Sequence, residues 1–459
     1  MARPGERART EREARGFRAA LALIVVAALA VRVAYVLISR RNFAPQGDAL
    51  FYHAGANLLA DGKGFISPFF VKLGLHRPAA EHPPLYVVFL AVPSLLGMKS
   101  VLTHLLWSCG LGAATVALVG LLGRAVAGAR AGLIAAAIAA IYPNLWAPDG
   151  SLQAETVAMF CVTAALLLAY RYRREPSGAR LALVGAMCGL GALARSELIL
   201  LVPLLVVPLA WTTRDRTARA RAQWLGVSVA AALVVIAPWT VYNSTRFVHP
   251  ELLSSQFGPL LASANCESTY FGQQQGYFDI TCNAAIDAAH GVTLADDESQ
   301  QDAVDRRAAF HYIRGHMGRL PTVEGVRLLR IVGLYHPVDY ARADWYVEGR
   351  DPEWISFAAL YSFWCVALAA VAGAVVTRRR SRRAPSDDDD DDDGDDDDDG
   401  APAVFPLLSP VLVVVLTVLV TYASTRFRTT AEPALVVLAA VAIDGLVRWG
   451  RGRYASARN

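Results

Sequence analysis

Long apolar runs separated by short arginine-rich segments set the hydrophobic pattern of this chain. Runs of this kind predict helices that cross a bilayer, since about 20 apolar residues span its core. Barrel strands would alternate instead. The predicted spans lie near 19–38, 101–122, 131–147, 153–170, 180–194, 198–211, 223–242, 353–376, 403–421 and 433–447, ten in all. One further run, PLYVVFLAVPSLLG at 84–97, has only 14 residues, begins beside Pro83 and contains Pro93. A run so short predicts an interfacial or re-entrant half-helix. If it does not cross, the N-terminus lies inside and every loop has a side.

The arginines agree with that assignment. The segments 1–18, 123–130, 171–180, 212–222, 377–402 and 448–459 carry 25 of the 44 Lys and Arg, and all fall inside. This is the positive-inside bias. Two large segments then face outward, 39–83 and 243–352. The expected organisation is a cytoplasmic basic tail (1–18) and an N-terminal transmembrane module (19–242) with its outer loop 39–83. An extracytoplasmic region (243–352) and C-terminal helices (353–459) with an internal poly-Asp linker (384–402) follow. The expected location is a bacterial cytoplasmic (inner) membrane, crossed several times, with both termini cytoplasmic.

Composition narrows the function classes. Of 459 residues, 54% are hydrophobic and 18% charged, and the mean hydropathy is +0.35. A soluble domain would be about 25% charged. The net charge of +4 includes 12 Asp at 387–399; without them it would be +16. That Asp run reads as a solvated linker. The basic excess lies in short loops, which fits membrane topology and no nucleic-acid partner. No GxxxxGK[ST] loop is present, so an ATP-driven pump is not expected. The first apolar run lacks a small-residue cleavage site and reads as a retained helix. Of six Cys, four lie in apolar spans, whereas Cys266 and Cys282 share one polar loop on the oxidising side and could form a disulfide.

Candidate chemistry gathers in the outer segments. Asp48 follows Gly47 shortly after the first span, where an Asp ordinarily caps a helix. Tyr52, His53, Lys63, Lys72, Arg77, Glu81 and His82 share its loop. In APDGSLQAET, Asp149 sits in a turn and Glu155 opens the fourth span. Arg195-Ser196-Glu197 interrupts an apolar hairpin, and Arg32 lies within the first span; ionisable groups so placed are costly and pair or function. Tyr422, Arg426 and Arg428 stand at an outer boundary, where Arg either snorkels or clamps phosphate. Residues 321–336 read as an amphipathic surface helix, with Val323, Val326 and Leu329 opposite Arg327 and Arg330. Asn243-Ser244-Thr245 matches a glycosylation sequon by chance.

The order of Gly47–Asp48–Ala49 with Tyr52, His82–Pro83–Pro84–Leu85, Tyr142–Pro143, Glu155 and Arg426-Phe427-Arg428 before Glu432–Pro433 resembles the GT-C superfamily of polyprenyl-phosphate-sugar glycosyltransferases. It is most similar to glycosyltransferase family 39, with its protein O-mannosyltransferases and aminoarabinose–lipid A transferase. The resemblance spans roughly 15–450. It implies an all-α polytopic GT-C fold of about ten transmembrane helices with juxtamembrane helices in the outer loops. It implies an inverting transferase moving a hexosyl or pentosyl group from a polyprenyl-phosphate donor to a glycan, lipid or protein acceptor outside. Asp48 and Glu155 would be catalytic, with Asp48 the acceptor's base. Tyr52, His53, Arg77, His82, Arg195, Tyr422, Arg426 and Arg428 would bind substrate. No cofactor is certain, and a divalent metal is left open. The rival readings are a lipid or sugar transporter or flippase, and a polymerase or ligase using lipid-diphosphate sugars.

Overall fold

The structure is a computed structural model that describes residues 4–213, 216–383 and 404–456. Among the described residues there is no strand, only an isolated bridge between Ile66 and Pro78. The helices that frame the site are, in chain order, α1 (Pro4–Tyr35), α2 (Gly47–Ala60), α3 (Leu85–Leu95), α4 (Val101–Ala127), α5 (Ala129–Ile141), α6 (Glu155–Arg174), α7 (Gly178–Ala194) and α8 (Ala218–Ser244). They continue as α9 (Leu320–Ile331), α10 (Trp354–Arg383), α11 (Phe405–Val420), α12 (Thr425–Thr429) and α13 (Glu432–Ser456). A π turn, Val36–Arg40, prolongs α1. Residues 4–18, expected as a tail, are the start of that helix. The Asp run at 387–399 lies outside the described residues.

Helical structure stands at each of the ten predicted spans, yet fewer qualify as crossings. Among the described residues five helices are long and apolar enough by length and composition, or six if Ala129–Ile141 with Pro143–Gly150, bent by 74°, is one broken span. The helices α7 and α11 have 17 and 16 residues. The segment Ser196–Trp211 is irregular, passing through 3-10 and π turns. Pro203 and Pro208 explain that, because each removes a backbone donor inside an apolar run. Ten crossings therefore stays an expectation. The half-helix expected at 84–97 is α3; its 11 residues rise about 16 Å, half of a bilayer core.

Packing draws the loop ends together. Helix α4 lies against α1, α5 and α6; α7 against α6 and α8; α10 against α13; and α2 against α3. Between apolar helices in lipid, close van der Waals contact supplies the association.

One expectation is corrected. A helix does occupy 320–331, but Arg327 and Arg330 point inward rather than to water, at 1% and 7% exposure. Arg327 donates to the carbonyls of Leu419 and Ala264, and Arg330 to that of Gln275. Leu328 and Leu329 are exposed instead. Buried Arg is held here by these carbonyl oxygens, with Arg327 Nη2 also donating to Asn265 Oδ1, while Arg327 Nε has no partner among the described residues. Cys266 and Cys282 are joined as a disulfide.

Candidate active site

The first wall of the site is the loop before α3. Gly47 has φ of +50°, a left-handed turn that glycine adopts without strain. That turn starts α2 with Gln46 at its N-cap, so Asp48 is not the cap but lies in the first helical turn. A carboxylate there is favoured by the helix dipole. His82 reaches it from the other end of the loop, with Nε2 3.3 Å from Asp48 Oδ1. The His82 ring lies on Tyr52, centroids 5.0 Å apart, and edge-on to Phe51. Glu81, just before it, is pushed up to about 8 by burial, with Glu298 and Asp48 adding to the rise.

The second wall is the turn from α5 to α6. Pro143 breaks the helix, and the chain turns through a 3-10 segment, Ala147–Gly150. A fully buried pair anchors it: Arg32 Nε donates to Asp149 Oδ2 at 2.8 Å. Thr156 donates to the other Asp149 oxygen at 2.8 Å, and Arg32 also donates to the carbonyls of Ala28 and Leu145. Leu152 is held at φ of +52°, a strained value for a branched side chain. This fixed turn aims Gln153 and Glu155 at the site. Gly112 on α4 leaves room for the pair, since a Cβ there would stand 1.9 Å from Asp149 Oδ2 and 2.7 Å from Arg32 Nε. Gly112→Ala is expected to lower stability by about 3–5 kcal/mol, the loss seen on breaking a buried ion pair. Gly110→Ala, two residues away on the exposed side with nothing within 4 Å, should be neutral to stabilising by about 0.5–1 kcal/mol. Thermal unfolding in detergent checks both; equal melting temperatures for the two variants would contradict the packing role.

The third wall is α12, and Arg426 is its contribution. Arg426 Nη1 donates to Asp48 Oδ2 at 2.7 Å, Nε to Glu155 Oε1 at 2.7 Å, and Nη2 to Gln153 Oε1 at 2.8 Å. Glu348 Oε2 lies 3.5 Å from Nε. Arg195 also donates to Glu155 and pairs with Glu197. The guanidinium of Arg195 sits over the Phe427 ring, 5.0 Å from its centroid. One cation thus joins three segments that lie up to 378 residues apart. Burial opposes the charge on Asp48, but His82 and Arg426 outweigh it and hold the carboxyl well below its usual range. Burial opposes the charge on Arg426 too, and Glu155, Asp48 and Glu348 more than restore it. Glu155 keeps one oxygen, Oε2, buried and without a hydrogen-bond partner among the described residues.

The remaining expected residues divide. Tyr52 and Arg195 border the cluster, and Tyr422 packs on Phe427 and Phe278 beside α12. Arg428 faces the other way: its Nε donates to Glu432 at 2.7 Å, its guanidinium covers Phe363 at 3.6 Å, and Tyr142 donates to the same Glu432. His53 pairs with His104, ring nitrogens 3.0 Å apart. Arg77 donates to the carbonyl of Asp296 and lies over Phe70. Glu348 and Gln153 were not singled out from the sequence. Gln153 lies inside the quoted 147–156 segment, whereas nothing in the pattern around Glu348 marks it. Among the described residues no three His, Cys, Asp or Glu side chains are placed to hold a metal ion. Between Asp48 and Glu155 stands the Arg426 guanidinium, so this donor set does not fit a divalent cation as arranged.

Solved structures share this architecture. The archaeal oligosaccharyltransferase AglB from Archaeoglobus fulgidus, in complex with an inhibitory peptide and a dolichol-phosphate, matches over 96% of this chain and 51% of its own, at 14% identity and a TM-score of 0.56. The Archaeoglobus fulgidus oligosaccharyltransferase in complex with Zn and sulfate matches over 95% and 50%, at 15% identity and a TM-score of 0.55. The chain therefore spans about half the length of the oligosaccharyltransferase it matches. The chain shares the fold of these oligosaccharyltransferases. Residues 81–242, from Glu81 into α8, match the family described as dolichyl-phosphate-mannose-protein mannosyltransferase. A comparison with curated proteins finds no match.

Proposed function

We propose that this chain is an inverting membrane glycosyltransferase that moves a sugar from a polyprenyl-phosphate carrier to an acceptor on the extracytoplasmic face. The observation that carries this reading is Arg426 held between Asp48 and Glu155, at 2.7 Å from each. The donor already has an activated anomeric carbon. The acceptor hydroxyl attacks that carbon, the bond from C1 to the phosphate oxygen breaks, and the phosphate leaves with the electron pair. Asp48 takes the hydroxyl proton. A single displacement inverts the centre and needs no second carboxylate as nucleophile.

The resting contacts suggest how the base is switched on. Paired with Arg426 and His82, Asp48 is a weak base. A donor phosphate entering beside Arg426 competes for its N–H groups, since Arg suits phosphate in two-point contact. Asp48 is then released toward the acceptor, and Arg426 neutralises the departing phosphate. Glu155 offers its free Oε2 to a sugar hydroxyl. AglB's complex with dolichol-phosphate supports a lipid-phosphate ligand for this fold.

The test is a reconstituted transfer with labelled polyprenyl-phosphate sugars and a membrane extract as acceptor. Labelled product of inverted anomeric configuration is expected. Label that only changes leaflet, still on its carrier, would overturn transfer in favour of transport.

Glu348 makes a pH prediction. Burial pushes its carboxyl up to about 7, against the pull of Arg426 and with the push of Asp344. Below that pH it is neutral, bonded to Ser424 at 2.9 Å, and Arg426 is left to the donor. Above it the anion competes for Arg426. The donor KM should therefore rise up to about tenfold as pH climbs through neutrality, one pKa unit of interaction. Glu348→Gln should flatten that rise. An unchanged profile in the variant would assign the pH effect elsewhere.

A further inference from the structure

A second cation-lined recess stands apart from the Arg426 cluster. It lies where the π turn ends α1, has a volume of about 300 Å³, and is lined by Ser39, Arg40, Arg41, Asn42, Phe43 and Asp351 among others. Arg40 is buried, 4% exposed. Its Nε donates to the carbonyl of Gly150 at 2.9 Å, and its guanidinium lies 4.1 Å from the Phe43 ring centroid. Its Nη2 has no hydrogen-bond partner among the described residues. The nearest carboxylate, Asp351 Oδ2, is 3.7 Å from Nη1, beyond hydrogen-bond reach, and is half exposed. A buried guanidinium with an idle N–H edge is costly unless something accepts from it.

We propose that this recess is an anion site that binds a phosphate group, distinct from the one at Arg426. Arg40 supplies the buried fork, and Arg41 and Asn42, both exposed at the rim, supply further donors. Arg matches phosphate oxygens by geometry as well as charge. The position also fits a headgroup. Leu37 and Ile38, 46% and 83% exposed, continue the apolar surface of the first span up to the recess, as the boundary of a bilayer requires. The segments that border the recess are also those that build the active site. Gly150 precedes Gln153 and Glu155, and Asp351 follows Glu348. An occupant held by Arg40 would brace both.

The phosphate could come from an anionic lipid or from solution, and one experiment separates them. The purified full chain is placed in nanodiscs of phosphatidylcholine alone or with phosphatidylglycerol. Retained lipid is read by native mass spectrometry, and inorganic phosphate is titrated separately. Selective retention of phosphatidylglycerol is expected, weakened at least tenfold by Arg40→Gln and by Arg41→Glu. Asp351→Asn should tighten binding, because it removes the competing carboxylate; a purely structural role for Arg40 gives no such gain. Binding of inorganic phosphate in phosphatidylcholine discs would name the soluble source, and retention of phosphatidylglycerol without it would name the lipid. If Arg40→Gln fails to fold for want of its Gly150 bond, the two exposed positions still decide. Absence of both ligands, or binding indifferent to the variants that fold, would overturn the site.

Discussion

Arg426→Ala is expected to abolish transfer and to destabilise the protein together. The side chain faces Asp48, Glu155 and Glu348, all within 3.5 Å. Its removal leaves Glu155, 2% exposed, opposite Arg195 alone, and leaves Asp48 with His82. Breaking a buried pair by deleting one partner costs about 3–5 kcal/mol. The loss of a preorganised charge on the leaving group adds about 100- to 1,000-fold in rate. Arg426→Lys separates the two effects. It keeps the charge but cannot bond Asp48, Glu155 and Gln153 at once, so stability should recover more than activity. The double variant Arg426→Ala with Glu155→Gln should likewise fold better than the single one and remain inactive. Thermal unfolding and transfer assays on the set check this. Full activity in Arg426→Ala would remove the phosphate role.

Asp48→Asn should have opposite effects on binding and on turnover. An amide cannot take a proton, so kcat should fall by about 100- to 10,000-fold, the range for loss of a positioned base. Donor affinity should hold or tighten, because Arg426 loses an anionic competitor 2.7 Å away. A merely structural Asp48 would instead weaken donor binding and stability along with rate.

Much of the candidate site can be read from the chain, and the reasons are specific. Asp48, Glu155, Arg195 and Arg426 are charged residues at the ends of apolar runs, where charge is expensive and therefore informative. Arg428 carries the same signal with a different outcome. Two residues apart on a helical turn, Arg426 and Arg428 point to opposite sides. One meets Asp48 and Glu155, and the other meets Glu432. Which of them meets Asp48 depends on how α12 is rotated, and that is set by its packing against α6, α11 and α13. Arg327 and Arg330 mislead for a related reason. Their charge suggests water. The i, i+3, i+4, i+7 spacing instead sets them on the same face as Val323 and Val326, which is the buried one, and their acceptors are carbonyls from distant segments. Glu348 has no local pattern at all, and only the return of its loop to Ser424 and Arg426 reveals it. The turn holding Asp149 reads as ordinary turn chemistry, and its buried bond to Arg32 spans 117 positions. The number of crossings is obscured by Pro203 and Pro208, which break an apolar run that hydropathy alone counts as a span.

On the proposed mechanism a lipid-phosphate donor is cleaved at Arg426 with Asp48 as the base. The most direct measurement compares intact protein with Asp48→Asn, both purified and reconstituted, given one labelled polyprenyl-phosphate sugar at saturation, and reads donor bound and sugar transferred in the same vesicles. Both proteins are expected to bind the donor, and only the intact one to transfer its sugar at an appreciable rate. Equal transfer by both proteins would rule out Asp48 as the base.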